Sequence, residues 1–273
     1  MPATLLSHQA LVLPLKMCWP RRFSGLALVI GSMAPDLEFI GRMRDDWIFS
    51  HRIDAQLWFT VPVTAALVWL VSGLLIPTLL PYVRNSRRLQ LHDLAALAPP
   101  SGWRGWSAVA ISAWIGGMSH VILDGVTHGN HSGWLVPVFP VLRTMVPHFG
   151  GSVPLYDALQ LWLTAALALA TTLMWLRMAR ERLLWRWRGR EARTLPPMPQ
   201  RSGVLLLTVC AFAIVEGALV GRSMQAGNGT KALAAAVAFG AIDFAVLALV
   251  LCALTLRIRK HVPIPQERTS PVG

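Results

Sequence analysis

Long apolar segments alternate with short polar ones along most of this chain. Five of the apolar segments are long enough to cross the hydrocarbon core of a bilayer as helices, which needs about 20 residues. They lie at roughly 55–80, 103–124, 153–178, 202–222 and 231–256. The pattern predicts an all-α integral membrane protein, a bundle of about five full transmembrane helices.

Two shorter apolar segments, 4–18 and 23–34, precede the first long one, and a basic turn with Lys16, Arg21 and Arg22 joins them. Each segment is too short to span a bilayer comfortably. The pattern therefore predicts a short or re-entrant helical hairpin, which a membrane tolerates where protein shields it from lipid. Such a hairpin returns both of its ends to one membrane face, with its basic tip toward the cytoplasm.

The composition agrees with a membrane location. Hydrophobic residues make up 54% of the 273 residues and charged residues only 14%, and the mean hydropathy is +0.51, outside the usual range of soluble proteins. Basic residues follow the first apolar stretch instead of preceding it, so we expect no cleaved signal peptide. Cys18, Cys210 and Cys252 are scattered, which predicts neither a disulfide framework nor a cysteine zinc site.

The formal charge of +12 fits either nucleic-acid binding or membrane topology. The distribution of arginines decides between them. They concentrate after the first, third and fifth predicted spans, whereas the segment 125–152 contains only Arg143. Cytoplasmic loops of membrane proteins carry such an excess. We therefore expect no nucleic-acid binding, a cytoplasmic C-terminus, and 125–152 on the opposite, exoplasmic face.

The segment after the third predicted span interleaves arginine with tryptophan and leucine. Residues 181–193 are typical of a juxtamembrane segment that contacts anionic lipid headgroups, although a plain stop-transfer anchor has the same pattern. The boundaries between apolar and basic segments predict four parts. They are a membrane-embedded domain that carries the candidate metal ligands named below, a basic cytoplasmic linker, a two-helix membrane segment and a disordered tail. These four parts cover 1–180, 181–201, 202–260 and 261–273.

Ionisable side chains gather at one predicted end of this bundle. His120, Asp124 and His128 are spaced by four residues, so they lie along one stripe of a helix near its exoplasmic end. The predicted topology brings three more such residues to the same face. Imidazole and carboxylate groups together are the usual ligands of zinc and related ions. The six candidate metal ligands are His8, Asp36, His51, His120, Asp124 and His128.

Four short motifs occur in order within residues 1–180: TLLSH at 4–8, GSMAPDLE at 31–38, SHR at 50–52 and SHVILDGVTH at 119–128. Their succession resembles that of an uncharacterised family of bacterial polytopic membrane proteins, a domain of unknown function. The order of the ligands is similar to that of inner-membrane proteins assigned as metal-dependent hydrolases. More distantly, it is similar to that of the zinc-dependent phospholipase C and P1 nuclease group.

The resemblance implies a bacterial inner-membrane protein whose six candidate ligands hold one or two divalent metal ions, with zinc as the expected metal. The soluble enzymes of the group also have a later His-x-x-x-Glu/Asp pair. This chain has no match to that pair, because His148 is followed by Phe149, Gly150, Gly151 and Ser152. A full three-zinc cluster is therefore not expected.

Two classes of function fit the sequence. The first is a membrane-bound metal-dependent hydrolase in which an activated water attacks a phosphate ester or lipid-linked substrate at the exoplasmic face. Asp124 and Glu38 are its candidate catalytic carboxylates, and Arg52 is the candidate substrate-binding residue unless it is an interface anchor. The second is a non-catalytic metal-stabilised scaffold or a transporter, with Glu216 and Asp243 as candidate parts of an ion path.

Overall fold

The computed structural model describes residues 4–38, 49–83, 85–86, 88–129, 132–149, 151–188, 200–224 and 230–261. Most of the predicted linker and all of the predicted tail except His261 lie outside these residues. The protein is mostly helical, at 76%. Its α-helices are α1 (Thr4–Ser7), α2 (Gln9–Cys18), α3 (Gly25–Gly31), α4 (Gln56–Tyr82), α5 (Gly102–Thr127), α6 (Leu155–Arg180), α7 (Leu183–Trp187), α8 (Gln200–Met224) and α9 (Thr230–His261). Short 3₁₀ turns lie at Ala34–Asp36, Leu91–Ala96 and Pro140–Arg143.

In the part of the chain that the structure describes, four helices are long and apolar enough to cross a membrane, which indicates a membrane protein. They are α4, α5, α6 and the Gly240–Arg257 part of α9. The helix α8 also lies where a span is predicted. Among the residues whose side chains the structure describes, however, its apolar part is Leu207–Val220, which is shorter than the other four. The total of five spans therefore stays a prediction.

The two N-terminal apolar segments form a short helical hairpin, α2 and α3. Lys16, near the end of α2, donates hydrogen bonds to the carbonyl oxygens of Pro20 and Phe23 in the turn between the helices. At the start of α3, the Ser24 N–H donates to Ser112 Oγ of α5 at 2.9 Å. The turn is thus held by backbone acceptors, and the hairpin is tied to α5.

The helices α3 and α5 cross at a point of backbone contact. A Cβ atom at Gly116 would lie 2.7 Å from the Leu28 carbonyl oxygen and 2.7 Å from the Ser32 nitrogen, and one at Gly31 would lie 2.6 Å from a carbonyl oxygen of α5. Small residues allow such an approach between membrane helices. The apolar core beside the crossing consists of Ala27, Val68 and Val109, with Leu26, Ile30 and Ala65 packed against it.

The helix α4 contains two π-helical turns, Gln56–Thr60 and Val71–Leu75. A proline, Pro62 or Pro77, lies two residues after each turn. Because proline has no N–H to donate to the carbonyl four residues earlier, one α-helical hydrogen bond is missing there and a wider turn forms. The first wide turn begins at Gln56, a residue that contributes to the site described below.

The C-terminal helices α8 and α9 pack mainly on each other. A Cβ atom at Gly217 would lie 2.0 Å from the Gly240 carbonyl oxygen, so the two backbones are in contact there. Their link to the rest of the bundle runs through α4, where Leu74 and Leu79 pack with Ala253 in a second apolar cluster. This pair is therefore peripheral to the core formed by α3, α4 and α5.

A small antiparallel sheet lies between α5 and α6. Its strands are β1 (Met145–His148) and β2 (Gly151–Pro154), with Met145 opposite Pro154 and His148 opposite Gly151. The expectation of an all-α chain is corrected here to a mostly helical one with a two-stranded sheet in its described part. Strands of four residues that contain Pro147 and Pro154 show too little alternation to be recognised in a sequence.

We expect Gly116→Ala to lower the free energy of unfolding by roughly 1–3 kcal/mol, because the new methyl group forces α3 away from α5. Thermal and denaturant unfolding of the detergent-solubilised protein measure this. Gly73→Ala is the matched control, since a Cβ atom there meets nothing closer than 3.9 Å. Equal stability of the two variants would contradict the tight crossing.

Candidate metal centre

The candidate site combines side chains from three separate segments of the chain. His120 and Asp124 lie one turn apart near the C-terminal end of α5. Asp36 ends the short 3₁₀ turn after α3, and His51 lies in the loop before α4. Pro35 precedes Asp36 and is compatible with the tight turn but not with a longer α-helix. The turn and the loop meet at the same end of α5.

The four side chains surround one point. One ligand atom of each lies within 4.8 Å of those of the other three. His51 Nε2 and His120 Nε2 are 3.1 Å apart, and each of them lies 3.2 Å from Asp124 Oδ2 and 3.5 Å from Asp36 Oδ1. His120 is fully buried, and even the Asp36 side chain is only 13% exposed. A buried group of this composition can hold a metal ion.

The orientation of the His120 ring is determined by the backbone of α3. Its Nδ1 lies 2.8 Å from the carbonyl oxygen of Ser32. A carbonyl oxygen only accepts hydrogen bonds, so Nδ1 carries a proton. In the neutral ring, Nε2 then carries a lone pair that faces the other three residues. Metal-binding histidines in proteins are held by the same kind of second hydrogen bond.

The His51 ring is oriented by a relay through Ser50. The Ser50 hydroxyl donates to the Pro35 carbonyl oxygen at 2.7 Å, and His51 Nδ1 lies 3.3 Å from the same hydroxyl oxygen. Because the hydroxyl proton is used on Pro35, the oxygen accepts from His51 Nδ1. The neutral His51 ring therefore also presents its Nε2 lone pair to the cluster.

The loop before α4 is held by buried polar side chains that were not predicted from the sequence. The Gln56 amide donates to the carbonyl oxygens of Ser50 and Arg52 at 2.7 and 2.8 Å, and Thr60 donates to Gln56 Oε1 at 2.7 Å. A Cβ atom at Gly117 would lie 2.3 Å from that Gln56 oxygen. The available signal was a glutamine at the start of an apolar span, where a polar side chain needs a partner.

Two predicted site residues lie beside the four-residue cluster. Glu38, the candidate base, is buried, and its Oε2 accepts a hydrogen bond from the Ser50 N–H at 3.0 Å. Arg52, the candidate substrate-binding residue, is exposed and donates to both carboxylate oxygens of Asp54, at 2.9 and 3.2 Å. Glu38 therefore supports the loop that carries His51, and Arg52 lies at the surface next to it.

His8 and His128 approach the second oxygen of Asp124. Asp124 Oδ1 lies 3.5 Å from His8 Nε2 and 3.6 Å from His128 Nδ1. The His8 ring stacks on His120 with a centroid separation of 3.8 Å, and its buried Nδ1 has no hydrogen-bond partner among the described residues. His128 Nε2 lies 3.0 Å from the amide nitrogen of Gln160 and accepts from it, so the His128 proton is on Nδ1. The Thr127 hydroxyl donates to the Leu123 carbonyl oxygen, so its oxygen accepts from His128 Nδ1 at 3.1 Å. The role of His128 as a ligand stays a prediction.

A small cavity adjoins Asp124 on the side of α6. Its volume is about 10 Å³, and the residues that line it include His8, His128, Gln160 and Thr164. This is about the space that one water-sized particle occupies. The His128 side chain is 23% exposed, whereas His120 is fully buried. The cluster is therefore more open on the side of His128.

The electrostatics of the cluster favour ionised carboxylates. Asp36 lies outside the four long apolar helices. Burial raises the pKa of its carboxyl group, but the positive charge of a protonated His120 outweighs burial and brings the pKa well below its ordinary value. Asp36 therefore relies on nearby positive charge to stay ionised in a buried place.

The fold and the site together define a mostly helical membrane protein with a buried histidine–carboxylate cluster that can hold a metal ion. Residues 1–254 match the family model described as Domain of unknown function (DUF4184), so the chain belongs to that family. The match includes α8 and most of α9, beyond the residues 1–180 that contain the four motifs. Comparisons with curated proteins and with solved structures gave no match.

We expect Ser50→Ala to weaken the binding of a divalent metal about 10- to 100-fold, because His51 loses the hydrogen bond that orients its ring. Competition between the protein and a chromogenic zinc chelator measures the affinity. Ser107→Ala is the control, since among the described residues the Ser107 hydroxyl bonds only to the Arg104 carbonyl oxygen of its own helix. A Ser50→Ala protein that binds zinc as tightly as the control would contradict the relay.

Proposed function

We propose that this chain is a membrane-bound metal-dependent hydrolase whose cluster binds a zinc-like divalent ion. The observation that carries the proposal is the spacing of the four donor atoms. Tetrahedral zinc with bonds of about 2.0–2.1 Å requires ligand atoms about 3.3–3.4 Å apart. Among the four donor atoms, the five measured separations range from 3.1 to 3.5 Å.

The charge of the cluster also supports a bound cation. At 3.1 Å the two Nε2 atoms of His51 and His120 have room for at most one proton between them. With both carboxylates ionised, the four groups then carry at least one uncompensated negative charge in a buried place. Such a charge is costly unless an ion of opposite sign is present. A divalent metal provides that charge and uses both nitrogen lone pairs.

A divalent ion in this place supplies Lewis-acid polarisation and a water nucleophile near neutral pH. The residues of the chain have separate tasks around it. Asp36, His51, His120 and Asp124 would hold the ion, while Asp124, which also borders the small cavity, would accept a proton there through its other carboxylate oxygen. His128 Nδ1, next to the same oxygen, can return a proton to a leaving group. Because Glu38 is bonded to the Ser50 N–H, Asp124 is the better candidate for the base.

We infer that the substrate is a phosphate ester or a lipid-linked molecule at the exoplasmic face of a bacterial inner membrane. The cluster lies near the C-terminal end of α5, and a helix of this length that crosses a bilayer would bring that end near the lipid headgroups. Arg52 lies exposed beside His51, and a guanidinium group binds phosphate with two parallel hydrogen bonds. A phosphate would have to compete with Asp54 for this arginine.

A non-catalytic, metal-stabilised scaffold or transporter is the second candidate. One observation favours a scaffold: four protein ligands already complete a tetrahedron, as in structural zinc sites, whereas catalytic sites keep an open position. The small cavity beside Asp124 favours the enzyme, because it leaves space for a water next to the cluster. For a transporter, Glu216 and Asp243 lie in α8 and α9, the pair that packs peripherally.

We expect Asp124→Asn to lose both the bound metal and the hydrolytic activity while the helical bundle stays folded, because helix packing supplies most of its stability. Metal content is measured by inductively coupled plasma mass spectrometry. Activity is measured on a phosphomonoester, a phosphodiester and phospholipids. Asp157→Asn is the control, since Asp157 is an exposed carboxylate at the start of α6.

Two outcomes would count against the enzyme. Full metal content and full activity in Asp124→Asn would leave the six residues as a polar network that closes one end of the bundle. Bound metal without turnover of any substrate in the panel, together with a lower melting temperature after chelation, would identify a structural metal site.

We expect five spans with a cytoplasmic C-terminus. Alkaline phosphatase fused after residue 140 is then active, and the same enzyme fused after residue 188 is inactive, because basic loops stay in the cytoplasm. Green fluorescent protein at the same two positions gives the reverse pattern. Phosphatase activity at residue 188 would overturn the topology and with it the exoplasmic location of the cluster.

A further inference from the structure

A large cavity lies at the other end of the bundle from the histidine–carboxylate cluster. It has a volume of about 380 Å³ and lies between the N-terminal hairpin, the start of α5, the end of α6 and α7. Ala108 lines it, and this residue precedes Asp124 on α5 by 16 positions, a rise of ~24 Å. The cavity is therefore separate from the candidate metal centre.

Three cationic side chains, Lys16, Arg21 and Arg188, line this cavity, and none of its described lining residues is acidic. Lys16 donates to two carbonyl oxygens of the hairpin turn, and Arg188 donates to the carbonyl oxygen of Ala96. Neutral carbonyl groups accept these hydrogen bonds but do not neutralise the charges. Burial lowers the pKa of Lys16 to about 8, which still leaves it protonated at neutral pH.

Two nearby arginines outside the cavity have acidic partners. Arg182 forms an ion pair with the buried Asp93, and Arg177 forms one with Glu181 at 2.8 Å. The lack of acids around the cavity is therefore a local feature and does not follow from the basic composition of this segment. It makes the cavity a place where an anionic group is favoured.

Tryptophan side chains indicate that the cavity opens at the level of lipid headgroups. Trp19 is 48% exposed and Trp103 is 77% exposed. Trp19 directly precedes Pro20, and Trp103 lies two positions before Gly105, and both Pro20 and Gly105 line the cavity. The Lys16 ammonium lies 5.3 Å from the centre of the Trp187 ring. Exposed tryptophan is typical of the membrane–water interface, where one edge of the ring is wet and the rest is in an apolar environment.

A second cavity of about 530 Å³ meets the first one. Leu97, Ala98 and Arg188 line both, and the remaining lining of the second is mostly aliphatic, from α4 and the segment before α5. A cationic group thus stands where two largely apolar spaces join. This combination matches a molecule with an anionic head and two hydrocarbon chains.

We propose that these joined cavities bind an anionic phospholipid. Its phosphate lies among Lys16, Arg21 and Arg188, and its acyl chains lie along the apolar walls. Arginine and lysine bind phosphate oxygens through charge-assisted hydrogen bonds, and the tryptophans define the depth of the headgroup. The proposal does not depend on the hydrolase activity, because the cavity and the metal centre share no residue.

The experiment compares two arginines on the same short segment. Purified protein in neutral detergent is incubated with phosphatidylglycerol or phosphatidylcholine of identical chains, and native mass spectrometry counts the bound lipid. We expect tighter binding of phosphatidylglycerol, lowered about tenfold by Arg188→Gln. Arg186→Gln is the matched control, because Arg186 is exposed and does not line either cavity.

Two further variants distinguish the loss of a binding site from a folding defect in Arg188→Gln. Arg21→Gln changes an exposed side chain and is expected to weaken phosphatidylglycerol binding in the same direction, and Ala98→Phe fills the junction and is expected to reduce binding of both lipids. Equal losses in the Arg186 and Arg188 variants would show diffuse attraction to the basic segment and overturn the site. Equal binding of the two lipids by the unchanged protein would also overturn it.

Discussion

The free-energy cost of burying two carboxylates and two imidazoles among apolar helices is the constraint on which the rest of this structure depends. Asp36, His51, His120 and Asp124 are compensated only if their donor atoms converge. Convergence requires that α3 approach α5 closely enough for the Ser32 carbonyl oxygen to reach His120. Gly116 meets this requirement, since any side chain there would collide with the backbone of α3.

The same constraint explains why the loop before α4 is held in one conformation. This loop has little regular secondary structure, yet it must hold one imidazole in a single orientation. Ser50 and Gln56 do this by bonding to the backbone on both sides of it, and the wide π-helical turn that Pro62 permits begins at Gln56. The proline, far from the cluster's chemistry, thus affects the geometry of the first turn of α4.

Much of this architecture could be predicted from the sequence. The apolar lengths predict the long helices, and the four-residue spacing of His120 and Asp124 predicts a shared helix face. The predicted hairpin returns both of its ends to one side, which places His8 and Asp36 at the end of α5 that carries His120 and Asp124. Topology at a membrane has few solutions, so even coarse reasoning about which loop lies on which side is informative.

The remaining features depend on interactions between distant parts of the chain. No local pattern distinguishes Gln56 or Ser50 from any other polar residue near a membrane interface, because their importance comes from acceptors that only the folded loop supplies. The function of each His128 nitrogen likewise depends on Gln160, which lies 32 residues away. The short sheet at Met145–Pro154 escapes detection because four-residue strands containing proline have almost no periodic signal.

The two ends of the bundle have opposite charge, and this limits how they can cooperate. The carboxylate cluster is near the C-terminal end of α5, whereas Lys16, Arg21 and Arg188 lie near its N-terminal end. A phosphate that reacts at the cluster must lie within about 3 Å of the attacking group, but the rise of α5 separates the two places by ~24 Å. A lipid whose phosphate is held by the cationic cavity is therefore not the substrate of the proposed hydrolase. Any effect of such a lipid on the proposed activity would be indirect, through the packing of the N-terminal segment that carries both His8 and Lys16.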